Sequence, residues 1–174
     1  MKLKKLANNI INFSIDRVIE IFGVGVIIIG ILLLASLISF SPDDPNFIFP
    51  DNTDIKNVLG FRGSFTADII FQSFGVIALL IPFSLIMCGL NIFLNKKILL
   101  LIENVFYTIL YSLLGSLFFS FFYPIAFKLY INGNGGFVGN YLEKTFLNSI
   151  ININSQISFY ILYLVLYFFP FFTL

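Results

Sequence analysis

The stretch IFGVGVIIIGILLLASLISFSP, residues 21–42, decides the fold class. It runs for 22 residues without a charge. A helix of that length, rising about 1.5 Å per residue, matches the ~30 Å hydrocarbon core of a bilayer. Three more stretches behave alike: residues 69–95 are uncharged for 27 residues, 104–127 for 24 and 157–174 for 18. The last, at roughly 27 Å, suffices for a thin span. The expected fold is an all-α membrane protein with four transmembrane helices at about 18–41, 68–94, 99–125 and 157–174. A basic cytoplasmic N-terminus, residues 1–17, precedes the four-helix domain, 18–174.

Composition supports the same solvent. Hydrophobic residues make up 59% of the 174-residue chain and charged residues 11%, where a soluble domain has about 45–50% and 25%. The mean hydropathy is +0.98. A cytosolic enzyme is excluded. Histidine is absent and Cys88 is the single cysteine, so His-based triads, zinc clusters, haem ligation and intramolecular disulfides cannot be built. No catalytic residue, cofactor site or metal site is expected, and Cys88 reads as a packing residue. Lys2, Lys4 and Lys5 before the first apolar stretch suggest a secretory signal, but a signal core is about 7–15 residues long. A retained anchor is expected.

Charge placement gives direction. Lys2, Lys4, Lys5 and Arg17 precede the first helix, and Lys96 and Lys97 fill the short turn between helices two and three. The other two connections carry Lys56, Arg62, Lys128 and Lys144 with Asp43, Asp44, Asp51, Asp54, Asp68 and Glu143. Basic residues concentrate in short cytoplasmic segments, so both termini are expected in the cytoplasm. Glu103 lies near the cytoplasmic end of the third helix.

The first outer connection opens with Pro42 and Pro45, which cannot continue a helix. Asp43 and Asp44 suit a solvated helix stop better than a cation site, since spacing fixes no further carboxylate beside them. Ser64 or Thr66 is expected to cap the second helix, with Asp68 in its first turn. Pro82 is expected to kink that helix. The second outer connection contains NGNGGFVGN, residues 132–140. It lacks the Lys-Ser/Thr and the preceding strand of a phosphate loop. Beyond it Val138, Tyr141, Leu142, Phe146, Ile150 and Ile153 recur at helical spacing opposite Asn140, Glu143, Lys144, Asn148 and Asn152. That pattern predicts one short amphipathic extracytoplasmic helix before the fourth span, lying on the interface or on its neighbours. Small residues mark close-packing faces: Gly23 and Gly30 on helix one, and Ser112, Ser116 and Ser120 beside Gly115 on helix three. Contacts within the chain and between subunits both fit these stripes.

Together these residues carry a resemblance. Ser39-Phe40-Ser41-Pro42-Asp43-Asp44-Pro45, Asn57-x-x-Gly60-x-x-Gly63, Ala67-Asp68-x-x-Phe71-x-x-x-Gly75 and Pro82 resemble the N-terminal four-helix membrane domain of FtsK/SpoIIIE-type DNA translocases. There the first helix ends in a Ser-Tyr/Phe-x-Pro-x-Asp-Pro turn, and an Asn-Gly-Gly-Ala-Asp pattern leads into the second. Gly135-Gly136-x-x-Gly139 is similar to a glycine element of that family. The likeness is densest over residues 36–82. Asn46 and Ser64 depart from it, standing where Ser and Ala are common.

The resemblance implies a membrane anchor and assembly module acting in bacterial cell division and chromosome segregation at the septum. It implies partners in the bilayer, in further copies of the chain and among other division proteins. The motor of such translocases is a separate cytoplasmic domain. This sequence contains no Walker motif, so no enzymatic activity and no direct nucleic-acid binding are expected of it. It reads as the membrane part of a longer protein or as a stand-alone or split product. A small transporter or channel subunit is the alternative, but it would need polar groups at mid-membrane that the apolar stretches lack. A membrane-embedded enzyme lacks histidine and clustered acids.

Overall fold

The computed structural model describes residues 2–45, 54–124 and 132–172. Asp51, Lys128 and the ends of the expected third and fourth spans (residues 125, 173 and 174) lie outside them. The described residues form helices α1 (Lys2–Ile38), α2 (Gly60–Phe74), a 3-10 segment (Gly75–Leu79), α3 (Leu80–Asn95), α4 (Leu100–Phe122), α5 (Gly136–Glu143), α6 (Phe146–Ile153) and α7 (Ser155–Phe172). No strand occurs among them.

Helix α1 is 37 residues long, about 55 Å, so it outruns the bilayer core. Ser39 ends it by donating from Oγ to Ala35 O at 2.7 Å, and the two prolines follow. Helix α3 runs antiparallel to α1 at close range. A Cβ on Gly23 would lie 2.9 Å from both Gly89 O and Phe93 N, and one on Gly30 would lie 2.8 Å from Ile86 Cγ1. The Gly23 and Gly30 face is thus occupied within the chain. At the far end Lys96 turns through a left-handed conformation (φ 56°). Its ammonium reaches Glu20 at 3.2 Å and Asp16 at 3.9 Å. The middle of α1, at Asp16 and Glu20, and the α3–α4 turn therefore share one end of the bundle, and the first part of α1 runs on beyond it.

The α1–α3 register exposes a fold-back. Gly23 is level with Gly89, and Gly30 with Pro82 and Ile86. Extended, that line would bring Ser36 level with about residue 78, leaving Gly63 about fifteen residues, or ~22 Å, further on. Instead Ser36 Oγ donates to Gly63 O at 2.7 Å, and the Phe40 and Phe71 rings stand 5.0 Å apart. The chain therefore doubles back at Gly75–Leu79, and α2 crosses the end of α1. Residues 68–74, expected at the start of the second span, belong to α2. The 3-10 segment with α3, five and 16 residues, spans roughly 34 Å, enough to cross.

Two sequence expectations change with this geometry. Pro82 is the third residue of α3, where a missing N–H costs little because first-turn amides have no intrahelical acceptor. The break precedes it, at Gly75, whose φ of 65° and ψ of −141° only glycine adopts readily. Neither Ser64 nor Thr66 caps the second helix. It starts at Gly60, so Ser64 lies in its second turn and donates to Pro45 O at 2.8 Å, while Thr66 donates to Arg62 O. Asp68 accordingly sits in the third turn, not the first.

Helix α4 returns beside α3, with Tyr111 Oη 3.0 Å from Ser84 Oγ. Helix α7 runs back along α4: Phe159 packs on Phe118 and Phe122 at 5.4 and 5.1 Å, and Leu166 lies against Gly115. Thus α1, α3, α4 and α7 alternate in direction; the α3–α4 turn is short, whereas α2 lies in the first connection and α5 and α6 in the last. The polarity is that of a molecule solvated by lipid. Ile21, Leu94 and Phe106 are 72%, 70% and 62% exposed, whereas Ser112, Ser116 and Ser120 are buried.

The expected single amphipathic helix is two. Thr145 separates them and caps α6, accepting from Leu147 N at 3.4 Å, and α6 meets α7 at 112°. Around α5 the expected faces are reversed. Asn140 and Glu143 turn inward to Ser120, while Phe137 and Tyr141 are exposed. With lipid outside, the apolar face is the solvated one.

Candidate functional site

The residues of the motif gather at the end of the bundle away from Lys96, where α2 and α5 form a cap. Its first part begins with the chain leaving α1. Asp44, 3% exposed, accepts from Lys56 N and Asn57 N, each at 2.9 Å. Asn57 carries the connection back to α1: its Nδ2 donates to Ser36 O at 2.8 Å, and its Oδ1 accepts from Leu59 N at 3.1 Å. Ser39 Oγ accepts from Val58 N at 3.2 Å. These bonds satisfy the amides of a non-helical segment where it packs back onto the end of α1. Gly63 has no room for a side chain, since a Cβ would stand 2.1 Å from Asn57 Oδ1. Beneath lie Leu37, Ala67, Phe71 and Ala78, with Phe40 packed against them.

The two acids of the turn therefore part company. Asp44 is a buried clasp, not part of a solvated stop. Asp43 stays exposed and pairs with Lys56 Nζ at 2.9 Å. That bond and the charge of Asp43 raise the Lys56 pKa above its ordinary value. Among the described residues no group of three or more metal-ligating side chains converges.

The second part joins α2, α4 and α5. Gly75, the first residue of the 3-10 segment, lets the backbone approach so closely that a Cβ would fall 1.9 Å from Asn134 O. Asn134 O accepts from Val76 N at 2.9 Å, and Asn134 Nδ2 donates to Tyr123 O. Gly135 and Gly139 rest on α4: their Cβ atoms would lie 2.5 and 2.3 Å from Ser116 O. Gly136 (φ 64°) faces Ser73 O in the same way. Ser116 Oγ donates to Phe74 O at 3.0 Å. Ser120 Oγ bonds Asn140 Oδ1 at 2.9 Å and Glu143 Oε2. Ser112 is buried further along α4. Asn132 ties the parts together, donating from Nδ2 to Gln72 O and Oε1 at 3.3 Å, while Gln72 Nε2 donates to Asp68 Oδ1 at 3.4 Å.

The structure thus brings Ser39, Phe40, Asp44, Pro45, Asn57, Gly63, Ala67 and Asp68 into one half of the cap. Gly75, Gly135, Gly136 and Gly139 make the other, on the Ser116 and Ser120 stripe. Pro42 shapes the entry, Gly60 (φ 64°) opens α2, and Pro82 stands apart in α3. Sequence reasoning missed Ser36, Gly89, Gln72, Asn132 and Asn134. Ser36 leaves a faint signal as a hydroxyl inside an apolar run; the asparagines leave none, because their partners are remote in sequence. The polar side chains of the cap bond one another and the backbone. It is a rigid, closed joint that presents Val58, Phe61, Phe137 and Tyr141 outward.

Comparison with known proteins identifies the family of the chain. Over 69 residues the chain is 38% identical to the DNA translocase FtsK of Rickettsia bellii, covering 40% of this chain and 9% of that protein. It is 34% identical over 64 residues to the DNA translocase FtsK of Rickettsia typhi, covering 37% and 9%. The matched stretch is thus about a tenth of those relatives' length. No solved structure matches. The family model of the 4TM region of DNA translocase FtsK/SpoIIIE matches residues 16–174, from Asp16 within α1 through the whole of α7, and the chain therefore belongs to the family of FtsK/SpoIIIE membrane regions.

Proposed function

We propose that this chain anchors a DNA translocase in the bacterial inner membrane at the division septum and serves as its assembly module. The observation that carries the proposal is the family match over residues 16–174. The cap supports the assembly role: its polar groups are spent on one another, so it holds a fixed outer surface. Both termini are cytoplasmic in this reading. Lys96 pairing with Glu20 gathers the basic N-terminal segment and the Lys96–Lys97 turn at one end, and Asp43, Asp44 and Lys56 lie at the other. The membrane region contributes no ATP hydrolysis or DNA contact of its own. Further copies of the chain and other division proteins are its partners, met through the exposed cap and the lipid-facing helix surfaces. The Gly23, Gly30, Ser116 and Ser120 faces are already filled within the chain.

A fluorescent fusion in dividing cells tests this: a midcell band is expected, and an even membrane signal in every dividing cell overturns it. Impermeant-thiol labelling of cysteines placed at Val58 and Lys97 in intact spheroplasts tests direction, with labelling expected at position 58 alone.

A further inference from the structure

We propose that the groove between α1 and α2 is a binding site for one anionic phospholipid, with an acyl chain along α1 and the headgroup phosphate on Arg62. The groove encloses about 560 Å³ and is walled by Ile29, Leu32 and Leu33 of α1 and by Ile70 of α2. Its α1 wall descends from Ser36 to Ile29, seven residues or about 10 Å, within a leaflet's share (~15 Å) of the hydrocarbon core. Helix α2 crosses above, so the groove opens toward lipid below and toward the headgroup layer at its rim.

Charge decides the occupant. Arg62 and Thr66 stand at the rim. The ion pairs of the described residues involve Arg17, Lys56 and Lys96, and no described acid neutralises Arg62. Lys56, the nearest cation along the chain, is matched by Asp43. Arg62 also lies in the first turn of α2, a 15-residue helix that no side chain caps, so the positive end of the helix dipole adds to its field. An apolar trough whose mouth carries a guanidinium paired with no described acid complements a molecule with an apolar tail and an anionic head. The planar guanidinium can hold phosphate oxygens in two parallel bonds.

Native mass spectrometry of the purified chain, from detergent containing equal phosphatidylglycerol and phosphatidylcholine, tests the site. The expected spectrum shows one phosphatidylglycerol retained in preference to phosphatidylcholine. R62Q should reduce that preference about fivefold, as expected for one basic residue beside an anionic lipid. K97Q, at the opposite end of the bundle, should leave it unchanged, and T66F should narrow the groove and reduce retention of both lipids. Arg62 is exposed, so R62Q should melt with the parent. Equal retention by R62Q and the parent, equal loss with K97Q, or a lipid-free dimer dissociated by T66F, which would mark a second copy as the occupant, each overturns the proposal.

Discussion

Replacing Gly75 by alanine attacks the fold-back directly. Its φ and ψ, 65° and −141°, lie where an L-residue stores about 1–3 kcal/mol of strain. The new Cβ would also stand 1.9 Å from Asn134 O and 2.4 Å from Asn134 C. Both are backbone atoms, and Asn134 is tied to Tyr123 O, so the neighbour cannot step aside alone. Opening the contact breaks the bond from Val76 N to Asn134 O, at 2.9 Å, for about another 1 kcal/mol or more where lipid offers no substitute. Strain and bond together predict a loss of about 2–4 kcal/mol. The assay is reversible unfolding in dodecylmaltoside micelles titrated with dodecyl sulfate, followed by circular dichroism. Gly25→Ala is the control, because a Cβ there meets nothing within 4 Å, and an exposed helical Gly→Ala change is neutral or stabilising by up to about 1 kcal/mol. A G75A variant as stable as G25A would refute the fold-back at this residue.

The remaining predictions address other joints. Asp44→Ala should cost about 3–5 kcal/mol in the same titration, since it strands two buried amides that now donate to a carboxylate, and D44N should cost less. Asp43→Asn should leave the midpoint unchanged at neutral pH. The Lys56 pKa is raised by its bond to Asp43, so whatever that exposed pair adds is present below the unfolded lysine pKa and lost only as pH climbs through the folded one. Pro82→Ala should cost only about 1 kcal/mol, because a first-turn proline removes no helix bond; a loss as large as that of G75A would restore the proline as the cause of the break. Ser116→Leu should cost about 3 kcal/mol or more and increase protease cutting between α4 and α5, because Gly135 and Gly139 leave no space above it.

Local chemistry made much of this protein legible in its sequence. Residues 21–42 could only be a helix in lipid, because an uncharged run that long has no other way to satisfy its backbone. The prolines fixed where α1 stops, and the motif residues Asp44, Asn57, Gly63, Gly75 and Gly139 were visible as a pattern. Their roles were not. Helical periodicity reports which residues share a face but not what that face meets. Asn140 and Glu143 therefore read as a solvated stripe, although they turn to Ser120. Residues 68–94 likewise read as one span, because hydropathy sums along the chain and carries no direction. Only tertiary contacts, Ser36 to Gly63 and Asn134 to Val76, reveal that α2 turns back. The sequence by itself determined the solvent, the helical class and the stops, all set within a few residues by burial and backbone satisfaction. The tertiary structure decided the fold-back, the inward polar face of α5 and the closed cap, since each depends on atoms brought together from distant parts of the chain.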